Sequence, residues 1–220
     1  TATVGGLYPS YSGTLQLGAS GSLSTNAAVQ LGTDAATDEY GVFDLNGRSQ
    51  AVGGLSTSGT NLNNEVKSVA GATLTVNSSS SSTYAGKLTG AGLGLAKDGT
   101  GTLTLTGSGN TYGGGTLVSA GTLRLGGAGA IPDASVLTVA AGGKLDLNGV
   151  NDAIHQISGS GTIDNSAASA ATLTVGGDGS SSSFSGVLTD SGASTLAVTK
   201  AGTGTLTLSG ASTHSGATLL

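Results

Sequence analysis

The chain repeats itself at long range. Gly41-Val-Phe-Asp-Leu-Asn-Gly47 returns as Gly143-Lys-Leu-Asp-Leu-Asn-Gly149, and Ala72-Thr-Leu-Thr-Val76 returns as Ala171-Thr-Leu-Thr-Val175. Lys97-Asp-Gly-Thr-Gly-Thr-Leu-Thr-Leu-Thr-Gly107 returns as Lys200-Ala-Gly-Thr-Gly-Thr-Leu-Thr-Leu-Ser-Gly210, giving a period of about 100 residues. A repeat of this kind constrains a chain to stack equivalent units, and stacked units present a long surface rather than one enclosed cleft. Residues 1–220 therefore read as one segment made of two imperfect repeats, approximately 13–115 and 121–218. The largest interruption is an acidic stretch at residues 32–40, which carries Asp34, Asp38 and Glu39 and ends at Tyr40. Extra residues between matched units belong outside a stacked core, so these four residues are expected on an exposed loop.

Within each unit the pattern has a period of two. Runs such as Thr102-Leu-Thr-Leu-Thr106, Thr122-Leu-Arg-Leu125 and Val136-Leu-Thr-Val139 alternate apolar with polar residues over four or five positions. That puts Leu and Val on one side of a strand and Thr on the other. Asn46-Gly47, Asn148-Gly149 and many further glycines punctuate the runs, as turns require. Helix signals are nearly absent, so the fold class is all-β. Sandwiches have no reason to repeat their sequence at a fixed interval, whereas a parallel β-helix, or β-solenoid, stacks equivalent strands coil upon coil. With roughly 20 to 25 residues per coil, about ten coils spaced about 4.8 Å apart are expected.

Composition narrows the function. Only 9% of residues are charged and the formal net charge is −5, which disfavours nucleic acid and anionic membranes as partners because both require clustered Lys or Arg. The 41 glycines sit among regularly spaced Leu, Ile and Val, and 36% of the chain is hydrophobic, so the chain is an ordered core former rather than a linker. There is no Cys and no Met, which fits work in an oxidising exterior and leaves no disulfide or thiolate metal site. No stretch approaches the length of a membrane-spanning helix. The chain opens on Thr1 without a signal segment, as expected of a mature or excised portion of a longer precursor.

The motif Lys-x-Gly-x-Gly-Thr-Leu-x-Leu-x-Gly at residues 97–107 continues into Asn110-Thr-Tyr-Gly113, Thr116 and Gly121-Thr-Leu-Arg-Leu-Gly126. This set resembles the autotransporter-associated β-strand repeat, also called the passenger-associated transport repeat. A second copy starts at Lys200 and departs from the pattern at His214, where Tyr is expected. The first half opens with the tail of such a unit, Ser12-Gly-Thr-Leu-Gln-Leu-Gly18. The resemblance implies a right-handed parallel β-helix in a large exported bacterial surface protein.

Candidate chemistry is sparse. Asp44 and Asp146 are the best-placed carboxylates for a polysaccharide lyase or hydrolase, but equivalent positions in two repeats lie several coils apart and read as turn residues. His155 and His214 are the only histidines, and neither accompanies a nucleophile elbow. Gly176-Gly-Asp-Gly179 superficially resembles a calcium β-roll, yet no tandem nonapeptide follows. Serine runs at 78–82 and 180–183 precede Tyr84 and Phe184 and are open to glycosylation in an exported protein, though they read better as unmodified loops, with the aromatic folding back over a turn. Regular Thr-x-Thr ladders of the ice-binding kind are absent, and β propensity accounts for the threonines.

The expectation is a non-enzymatic extracellular or cell-surface structural protein without cofactor or metal. Its partners are copies of itself or cell-surface ligands. Self-association would pair Ala217, Thr218, Leu219 and Leu220 of one molecule with Thr1, Ala2, Thr3 and Val4 of the next, giving a filament. The competing reading is an adhesin, an autotransporter passenger stem whose rod displays the 32–40 loop.

Overall fold

The computed structural model describes residues 2–4, 12–33, 39–59 and 61–220. The strands within them pair in parallel throughout, and no helix interrupts them. The chain is a β-solenoid. Parallel neighbours cannot be joined by a tight hairpin, so the chain travels round two other strand positions before it returns above its starting point.

Three faces result. The first stacks Ala2–Val4, Ala28–Leu31, Gly54–Thr57, Ser82–Tyr84 and Thr102–Leu105, then the second half of Thr116–Leu125, the second half of Val136–Asp146, Thr162–Asp164 and Val187–Thr189. The second runs from Gly13–Gln16 through Gly41–Asp44, Glu65–Lys67 and Lys87–Thr89 to Asp152–Ile154, Ala171–Val175, Leu196–Lys200 and Thr218–Leu219. The third stacks Gln50–Val52, Ala72–Asn77, Leu93–Asp98, the first halves of Thr116–Leu125 and Val136–Asp146, then Gln156–Gly159, Ser182–Phe184 and Leu206–Leu208.

That third face holds eight strands, so the rod has about eight turns rather than ten and is about 40 Å tall. The shortfall comes from wide coils. Lys144 sits beside Thr162, 18 residues on, but Gly13 sits beside Gly41, 28 residues on, and Ser158 beside Ser183, 25 on.

The alternation seen in the sequence sets the interior. Ala72–Asn77 alternates buried with exposed or half-buried positions, as does Ala171–Val175. Leu103, Leu123, Leu145, Ile163 and Leu188 occupy one register, coil above coil, and are all essentially inaccessible. Each such side chain contributes about 1.5–3 kcal/mol by leaving water. Phe43, Tyr84, Tyr112 and Phe184 also lie inside. Tyr84 and Phe184 fold back over the turns at Gly86 and Gly186, where a Cβ would meet the rings at 2.4–2.6 Å.

At 110–112 and 130–132 the second face has no strand. Buried Asn110 carries the ladder across instead. Its side-chain oxygen accepts the Leu88 amide at 2.8 Å, and its Nδ2 donates to the Ala130 carbonyl at 2.9 Å. One level higher, the Asp152 carboxylate accepts the Ile131 amide at 3.4 Å.

The long repeat is not a whole number of turns. Gly41–Asp44 lies on the second face, while its counterpart at 143–146 lies on the first; Ala72–Asn77 lies on the third and Ala171–Val175 on the second. Counting the strandless positions, each counterpart comes fourteen positions later on a three-sided coil, which is four turns and two faces.

Candidate functional site

The carboxylates singled out from sequence are turn residues. In both Asp-Leu-Asn-Gly stretches the aspartate Oδ1 accepts the amide of the asparagine two residues on, from Asn46 to Asp44 at 2.8 Å and from Asn148 to Asp146 at 3.0 Å. Each asparagine takes a left-handed backbone, φ 49° and 50°, a conformation asparagine tolerates better than most residues. Each then donates its Nδ2 one coil down, to the Leu17 or Leu125 carbonyl. Asp44 and Asp146 stand on different faces and several turns apart, so they do not form one site.

Three aspartates staple successive coils. Asp146 accepts both the amide and hydroxyl of Ser166 (3.1 and 2.7 Å), Asp164 those of Ser191 (2.8 and 2.6 Å), and Asp190 those of Ser215 (both 2.7 Å). Arg124 and Lys144 add ion pairs to Asp146 and Asp164. Burial works to raise the Asp164 pKa, but the Lys144 ammonium and the two Ser191 donors outweigh it and hold the carboxyl below its ordinary value. The Ser215 amide and hydroxyl likewise lower that of Asp190.

His155 and His214 stay apart from any such cluster. The His155 Nδ1 lies 3.5 Å from Asp178, and the His214 Nε2 lies 3.3 Å from the Thr218 hydroxyl. The Asp178 carboxylate accepts the Ser180 amide and hydroxyl. Among the described residues no group of three or more His, Cys, Asp or Glu side chains is placed to hold a metal ion.

Two buried charges were not foreseen. Lys97 is wholly inaccessible, and its Nζ donates to the carbonyls of Asp98 (2.6 Å), Gly99 (2.7 Å) and Ala120 (3.4 Å). Burial lowers its pKa against the opposing pull of Asp98. Burial also raises the Asp152 carboxyl to about 7, opposed by the amides of Ala153 and Ile131 and helped by the charge of Asp133. The lysine opens the long motif in both repeats, and that recurrence was the signal available in the sequence.

Of the predicted display loop, Asp34 and Asp38 lie outside the described residues. Glu39 is not displayed. It is 2% exposed and accepts a hydrogen bond from the Thr33 hydroxyl, so the loop's base is folded in. Tyr40 is half-buried, and its carbonyl accepts the Gly13 amide at 3.1 Å. The proposed end strands sit at opposite ends of the rod: Ala2, Thr3 and Val4 pair with Val29, Gln30 and Leu31, and Thr218 and Leu219 pair with Val198 and Thr199. The Ala217 carbonyl accepts the Val198 amide at 2.9 Å, Leu220 is fully exposed, and Thr1 lies outside the described residues.

On the outer side of the third face, Gly94, Ala96 and Gly114 leave a shallow groove of about 330 Å³, rimmed by Leu117, Val136 and Thr138. Its floor is backbone and small side chains, and it holds no charged group.

A family model, the passenger-associated transport repeat, matches residues 95–125 and 198–220. These two stretches are thus similar to that repeat. The first spans one full coil, from the strand of Lys97 to Thr116–Leu125 stacked upon it. The chain is also similar to the adhesin BmaC autotransporter of Brucella suis biovar 1 (strain 1330), with 41% identity over 142 residues. That match covers 63% of this chain and 4% of the Brucella protein. No solved structure matches. The chain thus spans only a small part of the length of the relative it matches.

Proposed function

We propose that the chain is a non-enzymatic stem segment of a surface adhesin, a stiff coil that carries binding elements away from the cell. The similarity to an autotransporter adhesin over 63% of the chain carries this reading. Backbone ladders on three faces supply the stiffness, and loops between faces are the places where a binding element can vary without disturbing the ladders. A polysaccharide-cleaving enzyme requires converging carboxylates, and the aspartates described above are each committed to turns and coil staples.

The test immobilises the purified protein and measures attachment of host cells before and after deletion of residues 34–38. Attachment lost with unchanged β-sheet circular dichroism supports loop display. Attachment retained assigns adhesion to the rod faces. Release of oligosaccharides from an acidic polysaccharide would overturn the non-enzymatic reading.

A second reading is head-to-tail stacking of Ala217, Thr218, Leu219 and Leu220 on Thr1, Ala2, Thr3 and Val4 of the next copy. Electron microscopy tests it: filaments with an axial repeat of about eight coils support it, and isolated short rods do not.

A further inference from the structure

The second face is interrupted midway up the rod. Residues 110–112 and 130–132 fill two successive levels of it without forming strands, while the first and third faces continue through Thr116–Leu125 and Val136–Asp146. Thr111 still donates its amide to the Leu88 carbonyl at 2.9 Å. The level above has no such backbone tie. Among the described residues, 129–132 make their polar contacts with the neighbouring coils through the side chains of Asn110 and Asp152. The Asn110 Nδ2 donates to the carbonyls of Gly129 (3.4 Å) and Ala130 (2.9 Å), and the Ile131 amide donates to the Asp152 carboxylate at 3.4 Å. Asp152 is buried, yet no lysine or arginine lines the cleft of about 240 Å³ beside it, and exposed Asp133 in the same lining adds a second negative charge. The other groups facing it leave that charge uncompensated. The Tyr112 hydroxyl is buried and bonded to Thr116, Ala171–Val175 brings Thr174 to the cleft and no charge, and His155 is engaged with Asp178.

We infer that residues 126–135 are a pH-gated latch in the rod, held on the second face while the Asp152 carboxyl is neutral and let go when it ionises. A neutral carboxyl is far less costly to bury than a charged one and keeps an oxygen free to accept the Ile131 amide. An ionised one, shut from water beside Asp133, is relieved when this loop lifts, because lifting removes the cover and the like charge together. The loop carries Gly126, Gly127 and Gly129 and no backbone ladder, so what opposes release is chiefly the burial of Ala130 and Ile131. Burial and Asp133 hold the folded carboxyl at about 7 against its ordinary 3.8. Closure is therefore firmest below the lower value and weakens as pH rises through the upper one. The other two faces keep their ladders, so release makes a joint in the rod rather than a break. The inference does not depend on what the rod binds, and its failure would leave the adhesin-stem reading untouched.

Amide hydrogen exchange of the whole chain from pH 5 to pH 8 tests the latch, with each rate corrected for the intrinsic pH dependence of exchange. The Ile131 amide should open at least about tenfold more at pH 7 than at pH 5 and level off by about pH 8, while the Leu123 amide on the first face stays constant. Asp152→Asn should flatten the Ile131 profile, and Asp133→Asn, at an exposed position, should make the rise about twofold smaller. A corrected Ile131 rate that stays level from pH 5 to pH 8 overturns the latch, as does a rise that survives Asp152→Asn or is shared equally by Leu123. If Asp152→Asn loses its β-sheet circular dichroism, the Asp133→Asn profile decides: a smaller rise supports the latch and an undiminished one overturns it.

Discussion

Lys97 and Lys200 open the same eleven-residue motif, and each turns its ammonium onto carbonyls one and two residues ahead. Yet Lys97 is sealed in the interior while Lys200 stays half-open. The same contrast separates Tyr112, buried with its hydroxyl 2.7 Å from Thr116, from its counterpart His214, which reaches Thr218 at the rim. Asn110 and Ser212 likewise receive equivalent amides, those of Leu88 and Leu188. Local sequence thus sets the turn and the hydrogen bonds within a coil. Burial comes from the coil above.

The contrast is broken most forcefully through the leucine ladder. Leu123→Ala, in the covered coil, should cost about 2–5 kcal/mol, whereas Leu206→Ala at the rim should cost under about 1 kcal/mol. Equilibrium denaturation of the two variants measures the difference, and equal costs would show that the terminal coil is covered after all. Next comes the lysine pair. Lys97→Ala strands buried carbonyls and should cost about 1–3 kcal/mol, while Lys200→Ala should shift the denaturation midpoint little. Tyr112→Phe removes one buried hydroxyl bond, worth about 1 kcal/mol; His214→Phe should leave stability unchanged within error.

The smallest effect is the most diagnostic of the aspartate staples. Asp164 and Asp190 have folded pKa values below their unfolded ones, so their contribution is present above the unfolded carboxylate range near pH 4 and is lost as pH falls through the lowered values. Thermal melts between pH 5 and pH 2 should show that loss, and Asp164→Asn should flatten it. A slope unchanged by the substitution would mean that the staple carries no linkage.

The parts of this architecture legible in the sequence were those with local causes. Alternation in Thr-Leu-Thr-Leu located strands and their inner faces, and Asp-Leu-Asn-Gly located turns, because both depend on neighbours a few residues away. The coil count came out too high because coil width, from 18 to 28 residues, depends on how far each loop reaches before it pairs. Burial of Lys97 was hidden because lysine usually keeps its head in water, and only the carbonyl of a residue 23 positions later closes the site. Glu39 was assigned to the surface because it lies in an insertion between matched units, but its bond to Thr33 folds it inward.

The repeat's four turns and two faces give the rod a thread. A loop copied once per repeat returns facing a third of a revolution away from its predecessor, and the third further copy points as the first did. Tandem copies would therefore set identical contacts in three directions around the axis, so that a partner approaching from any side meets one within a few nanometres. In the adhesin-stem reading, a better loop spread by duplication would widen the reach of the molecule rather than thicken one side.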